Sequence, residues 1–203
     1  MTRRTAVVLA LAGFASVAEA GTKFKSTWKP PDAAPTNFRG QKVAALVMLE
    51  DENTRNGVED ELAYALRSRG VQGVAAHSLV PPAELKDKER VRARLDEAGV
   101  AGAVVLRSVN KAAQLTEGAA YWVASYSTFS GYYAYGWGGV YSPGYVTMDS
   151  LFMVETLIYD VRADKLLWAG LSLTKNPRRV DEFMKDLVST VAKQLQKQGL
   201  VKK

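Results

Sequence analysis

One histidine, His77, and no cysteine in 203 residues set the limits on what chemistry this chain can carry. Without a thiolate there is no cysteine nucleophile, redox pair, iron-sulfur cluster or cysteine-zinc centre, and one imidazole is too few for a His-rich metal site. His77 adjoins Ser78, but neighbouring side chains of a strand point to opposite faces, so the two are not a nucleophile and its base. His77 therefore reads as a structural or surface residue. Glu155, Asp160 and Asp164 are the carboxylates to weigh for acid-base work. Glu155 interrupts an apolar strand. It either faces solvent or pairs with an arginine such as Arg107, or it is a catalytic carboxylate in a cleft. There is no Walker-type phosphate loop, no G-x-S-x-G elbow, and no H-E-x-x-H or EF-hand spacing. Gly136-Trp137-Gly138-Gly139 is glycine-rich but follows no βα turn. Lys86, Lys88, Arg90, Arg92 and Arg94 alternate with Asp87, Glu89, Asp96 and Glu97, which is the pattern of a solvated helix face rather than a phosphate track. The formal charge of +6, from 27 basic and 21 acidic residues, is a mild excess that favours anionic surfaces without implying nucleic acid. No catalytic residue, metal ligand or cofactor is expected.

The chemistry the chain does concentrate is aromatic. Residues 118–148 form 31 consecutive uncharged positions that hold ten of the nineteen aromatics and six glycines. Burying a large apolar side chain is worth about 1.5 to 3 kcal/mol, and the same rings left in water invite aggregation, so some of them must pack. Three arrangements compete: a long hairpin insertion whose rings fold back over a sheet, a binding surface, and a hairpin that joins an outer-membrane barrel. Tyr and Trp suit binding because a flat apolar face carries a hydrogen-bonding edge, and both also favour membrane interfaces. The candidate binding residues are Tyr132, Tyr133, Tyr135, Trp137, Tyr141 and Tyr145. The barrel arrangement needs about nine to eleven alternating residues per arm, and both Phe129-Ser130-Gly131-Tyr132-Tyr133 and Pro143-Gly144 break the alternation.

The elements that must position this segment are legible on either side of it. Lys42 to Leu49 is a nearly continuous apolar run, as in a parallel strand buried on both faces. Val58, Leu62, Ala65 and Leu66 follow at helical spacing, with Asn56 and Glu59 as a capping pair and Gly70 as the terminator. Val71 to Val80 reads as a second strand ended by Pro81 and Pro82. A charged helix from Ala83 carries Val91, Leu95 and Ala98 and stops at Gly99, and Val100 to Val109 reads as a third strand. Right-handed crossovers make these three strands parallel. Ser150 to Val161 and Leu166 to Thr174 are joined by four residues, which fits an antiparallel hairpin. Pro177 opens a last helix with Val180, Met184, Leu187, Val188, Val191 and Leu195 on one face and Gly199 at its end. The expected fold is α/β: one mixed sheet, β-α-β-α-β and then an antiparallel hairpin and a C-terminal helix, packed by three helices. Residues 42–203 make one domain, with the aromatic segment as an insertion.

Residues 1–20 carry Arg3 and Arg4, an uncharged run from Thr5 to Ala18 and the small-residue site Ala18-Glu19-Ala20, which is the pattern of a secretory signal peptide cleaved after Ala20. As a helix the uncharged run would span about 21 Å, short of the roughly 30 Å of a bilayer core. The paired arginines leave both the general and the twin-arginine export routes open. Residues 21–41, with Pro30, Pro31 and Pro35, read as an extended leader or tether.

The strings S-T-W-K-P-P-D (Ser26 to Asp32), E-D-E-L-A-Y-A-L-R-S-R-G (Glu59 to Gly70) and V-E-T-L-I-Y-D-V with K-L-L-W-A-G (Val154 to Gly170) resemble a family of bacterial envelope proteins, often lipoproteins. That family carries a Tyr/Gly-rich insertion ahead of an E-T-x-x-Y-D strand. The element order is also distantly similar to periplasmic domains of the curli secretion channel subunit, the TolB amino-terminal domain and the lipoprotein activator of penicillin-binding proteins. The resemblance implies a protein-interaction module. Thr22 stands where a lipoprotein would carry its cysteine, so no lipid anchor is expected.

Together these features predict a periplasmic, non-enzymatic accessory domain that binds an envelope partner, protein or peptidoglycan, through the aromatic insertion. A membrane surface is a further candidate partner. The alternatives are a carboxylate-dependent periplasmic hydrolase built on Glu155 and a ring- or pore-associated envelope subunit.

Overall fold

The computed structural model describes residues 21–31, 36–109, 126–140, 151–175 and 179–201. Its centre is one six-stranded mixed sheet. The strands are β1 (Lys23–Trp28), β2 (Lys42–Met48), β3 (Gln72–Ala75), β4 (Gly102–Val109), β5 (Leu151–Asp160) and β6 (Lys165–Lys175), in the spatial order β1-β6-β5-β4-β2-β3. β2 runs parallel to β3 and β4, whereas β4-β5, β5-β6 and β6-β1 are antiparallel. The expected α/β class, mixed sheet, hairpin and C-terminal helix are therefore present.

Four helices pack on the sheet: α1 (Glu52–Arg67), α2 (Lys88–Glu97), α3 (Phe129–Gly136) and α4 (Val180–Lys197). The apolar stripes of α1 and α4, including Val58, Leu62, Leu66, Leu187, Val191 and Leu195, bury against Val43, Ala45, Val104 and Ile158 on one face. Val91 and Leu95 of α2 and the rings of α3 bury against Ala44, Leu46, Val105 and Leu157 on the other. The alternation of β2 residues between the two clusters is the period-two signature of a strand covered on both faces. α1 starts earlier than the apolar stripe suggested. Asp51 caps it by accepting from Thr54 N at 2.8 Å, so Asn56 lies inside the helix. The second helix likewise starts later, at Lys88, with Asp87 as its cap.

Two other expectations need correction. Within the leader 21–41, Lys23–Trp28 is not a free tether but an edge strand on β6. Phe24 meets Trp168 edge to face at 5.2 Å, which supplies the apolar contact that holds β1 in place. The second parallel strand is only four residues long. After Ala75 the chain turns into a short 3₁₀ segment, Ala76–Ser78, so His77 and Ser78 are not strand residues. The early turn leaves Val47 N without a β3 partner, and buried Glu59 of α1 takes it at 3.0 Å while also accepting from His77 N at 2.7 Å.

Candidate functional site

The described middle of the aromatic segment is a helix packed on the sheet, not the arm of a hairpin. Phe129, Tyr132, Tyr133 and Gly136 recur at i, i+3, i+4 and i+7, and all four are buried. Thr128 caps this helix by accepting from Gly131 N at 3.1 Å, and Asp164 in the β5-β6 turn accepts from Ser130 N at 3.1 Å. Gly136 lies so close to β2 that a Cβ there would stand 2.6 Å from Met48 Sδ. Leu166 N donates to Ser127 O, which ties the residues just before α3 to the start of β6.

An ion pair inside the sheet face holds the rings. Arg107 on β4 and Glu155 on β5 are register partners, so their side chains leave the same face side by side. Arg107 Nη2 lies 2.8 Å from Glu155 Oε2, with the two side chains 2% and 0% exposed. The remaining Arg107 donors are used by the aromatic segment: Nη2 donates to Tyr126 Oη at 2.8 Å and Nη1 to Gly136 O at 3.5 Å. Tyr132 Oη donates to Glu155 Oε2 at 3.2 Å. The guanidinium also lies 5.4 to 5.8 Å from the ring centres of Tyr126, Tyr132 and Tyr135. Tyr159 Oη donates to Tyr126 O, and Tyr133 Oη donates to Leu85 O at 2.6 Å.

Electrostatics make this a fixed anchor. Burial opposes the Arg107 charge, but Tyr132, Glu155 and Tyr126 overcome it and hold the guanidinium protonated beyond its ordinary range. Burial pushes the hydroxyls of Tyr132, Tyr133 and Tyr159 upward, so all three are neutral donors at any physiological pH. Glu155, the carboxylate singled out for acid-base work, is 0% exposed and held in the ion pair with Arg107, the arrangement set against catalysis.

The candidate binding residues separate into three groups. Tyr132 and Tyr133 are 0% and 1% exposed and belong to the core, because their hydroxyls find internal partners while their rings complete the α2 side of the sheet. Tyr135 is 53% exposed, and Trp137 is half-buried with Lys86 Nζ 5.5 Å from its ring. Tyr141 and Tyr145 lie outside the described residues, as do Tyr121 and Trp122. Of the six, only Tyr135 and Trp137 combine accessibility with a described position.

No protein-family model matches the chain, and no curated protein matches it. Its backbone is similar to that of PelC. A point variant of PelC from Paraburkholderia phytofirmans, solved as a dodecamer, aligns at 13% identity and a TM-score of 0.46 over 86% of this chain and 97% of that one. A second dodecameric PelC structure from the same organism aligns at 10% identity and 0.43 with the same coverage. The dodecameric state belongs to PelC. Among the described residues no helix is long and apolar enough to cross a membrane, and no cluster of His, Asp and Glu has the make-up of a metal site.

The pairing of Glu155 with Arg107, one of the arrangements the sequence offered, is the one present. What sequence reasoning missed is that Tyr126 and the end of α3 join this pair as the hub of the site. A signal for the helix was present, in the i, i+3, i+4, i+7 spacing from Phe129 to Gly136 behind a Thr cap. The glycines and the lack of charge masked it.

Proposed function

We propose that this protein is a periplasmic, non-enzymatic accessory domain that binds an envelope partner, protein or peptidoglycan, through the outer side of its aromatic segment. One observation carries the reading. Among the described residues Tyr135 is one of two large apolar side chains left exposed, and it projects from a helix anchored through Tyr132 and Gly136 to the Arg107–Glu155 pair. A rigid aromatic presented this way loses little conformational freedom when it is covered, which is what an interface anchor requires. The signal-peptide pattern of residues 1–20 and the uncharged character of 118–148 support an envelope setting.

Removing residues 118–148 as a block would also strip Tyr126, Phe129, Tyr132 and Tyr133 from the core, so point substitution is the cleaner test. Co-sedimentation with peptidoglycan and outer-membrane fractions should fall in the Tyr135→Ala, Trp137→Ala double variant while circular dichroism stays native. Unchanged association with both fractions in that folded variant would refute the proposal.

A further inference from the structure

The crossovers create a crevice that Trp137, just beyond α3, helps to line. From β2 the chain passes through α1 to β3 on one side, and then through α2 back across to β4 on the other. With α1 and α2 on opposite faces, the carboxyl end of β2 is a topological switch point, the place where open α/β sheets leave room for a ligand. A cavity of about 240 Å³ lies there, lined by Glu50, Glu52, Arg55, Leu85, Lys86 and Trp137 among others.

Arg55 is the residue that demands explanation. It is 6% exposed, and its guanidinium makes one hydrogen bond among the described residues, Nη1 to Leu49 O at 3.2 Å. Its Nε is buried without a partner, and it forms no ion pair among those residues. It also sits in the first turn of α1, where the helix dipole disfavours a cation. Asp51 and Glu59 act on Arg55 electrostatically, but among the described residues no carboxylate lies within ion-pair distance, and a buried cation without a direct partner is costly unless an anion completes it. The rim carries two carboxylates and Lys86. Glu52 is exposed, and Glu50 is exposed and bonded to Lys86 Nζ at 3.0 Å. Trp137 and Leu85 supply apolar lining to the same crevice.

We propose that this crevice binds an α-amino carboxylate. Its carboxylate pairs with Arg55, its ammonium meets Glu50 and Glu52, and its apolar part lies on Trp137 and Leu85. The cavity is below the roughly 300 Å³ at which drug-sized sites begin, which fits a single amino-acid unit. Such a unit arrives either as a free amino acid or as the diaminopimelate end of a peptidoglycan stem peptide. The crevice shares Trp137 with the aromatic surface, but small-molecule binding and envelope sedimentation are read separately.

The test is a nuclear magnetic resonance titration of the purified protein that follows the Arg55 Nε–H and Trp137 indole N–H signals. Three probes are used: leucine, a soluble diaminopimelate-containing muropeptide, and the neutral N-acetyl-leucine amide. Saturable shifts of both signals with leucine or the muropeptide, but not with the amide, support the site, and the tighter of the two names the source. Arg55→Gln should weaken that binding roughly tenfold or more, the usual worth of a charged hydrogen bond. The proposal is overturned if neither acid moves the two signals up to about 20 mM, or if the neutral amide moves them equally. Because the comparison with the amide uses the unmodified protein, the proposal can be overturned even if Arg55→Gln fails to fold.

Discussion

Arg107 and Glu155 face one another across neighbouring antiparallel strands, and their 2.8 Å contact is the point from which the aromatic segment is held. Each partner has a second task. Arg107 donates to Tyr126 Oη and to the last carbonyl of α3, while Glu155 accepts from Tyr132. Removing one charge therefore strands the other in the core and releases a helix. Arg107→Met or Glu155→Leu should each lower the unfolding free energy by about 3 to 5 kcal/mol in urea titrations, and the double variant should lose less than the sum of the two. Limited proteolysis of either single variant should cut first near residues 126–140. Additive losses would mean that the two residues act separately.

Gly73 on β3 packs directly beneath α1. A Cβ there would lie 2.3 Å from Ala63 O, a backbone atom that cannot move aside as a side chain can. Gly73→Ala should cost about 1 to 3 kcal/mol by thermal or urea unfolding. Gly138→Ala, where a Cβ meets nothing within 4 Å, is the matched control and should change stability little.

Glu59 supplies a pH dependence of defined sign. Burial raises its carboxyl from an ordinary 4.5 to about 7, against the lowering effect of its two backbone donors and Arg55. Between those values the folded protein keeps a proton that the unfolded chain has lost. Its contribution to stability is thus complete below about pH 4.5, declines as pH rises, and is gone above about 7. Urea unfolding followed from pH 5 to pH 8 should show stability falling by roughly 1 to 3 kcal/mol, and Glu59→Gln should flatten that slope. A rise across the same window in the unmodified protein would contradict this account.

How much of this was legible beforehand depended on periodicity. The apolar runs of β2 and β4, the stripes of α1 and α4 and the four-residue turn between β5 and β6 are strong local patterns, and the fold follows from them. β1 was missed because its residues alternate weakly and its stability comes from Phe24 meeting Trp168, about 140 positions away in sequence. The Arg107–Glu155 pair was among the arrangements the sequence offered, since a carboxylate inside an apolar strand needs a cation and an arginine stands on a neighbouring strand. The burial of Tyr132 and Tyr133 was not, because composition announces that rings cluster without announcing which of them face inward.

The edge position of β1 has its own consequence. Thr22 N donates to Asp186 Oδ2 at 2.6 Å and Thr22 Oγ1 bonds Thr174 Oγ1 at 2.8 Å, so the strand is pinned at its start as well as by Phe24. Truncation to residue 29 should expose the β6 edge, including Leu171 and Leu173, and light scattering should then show association at concentrations where the longer chain remains dispersed.

The central claim is that the α3 side of the sheet presents its outward aromatics to an envelope partner, and in-cell photo-crosslinking tests it most directly. A photoreactive residue is placed at position 135 and, separately, at Tyr64, an aromatic 64% exposed on α1 over the opposite face of the sheet. The account predicts a discrete envelope adduct from position 135 that is absent from position 64. Adducts from position 64 alone, or none from position 135 in a folded and exported protein, would contradict it.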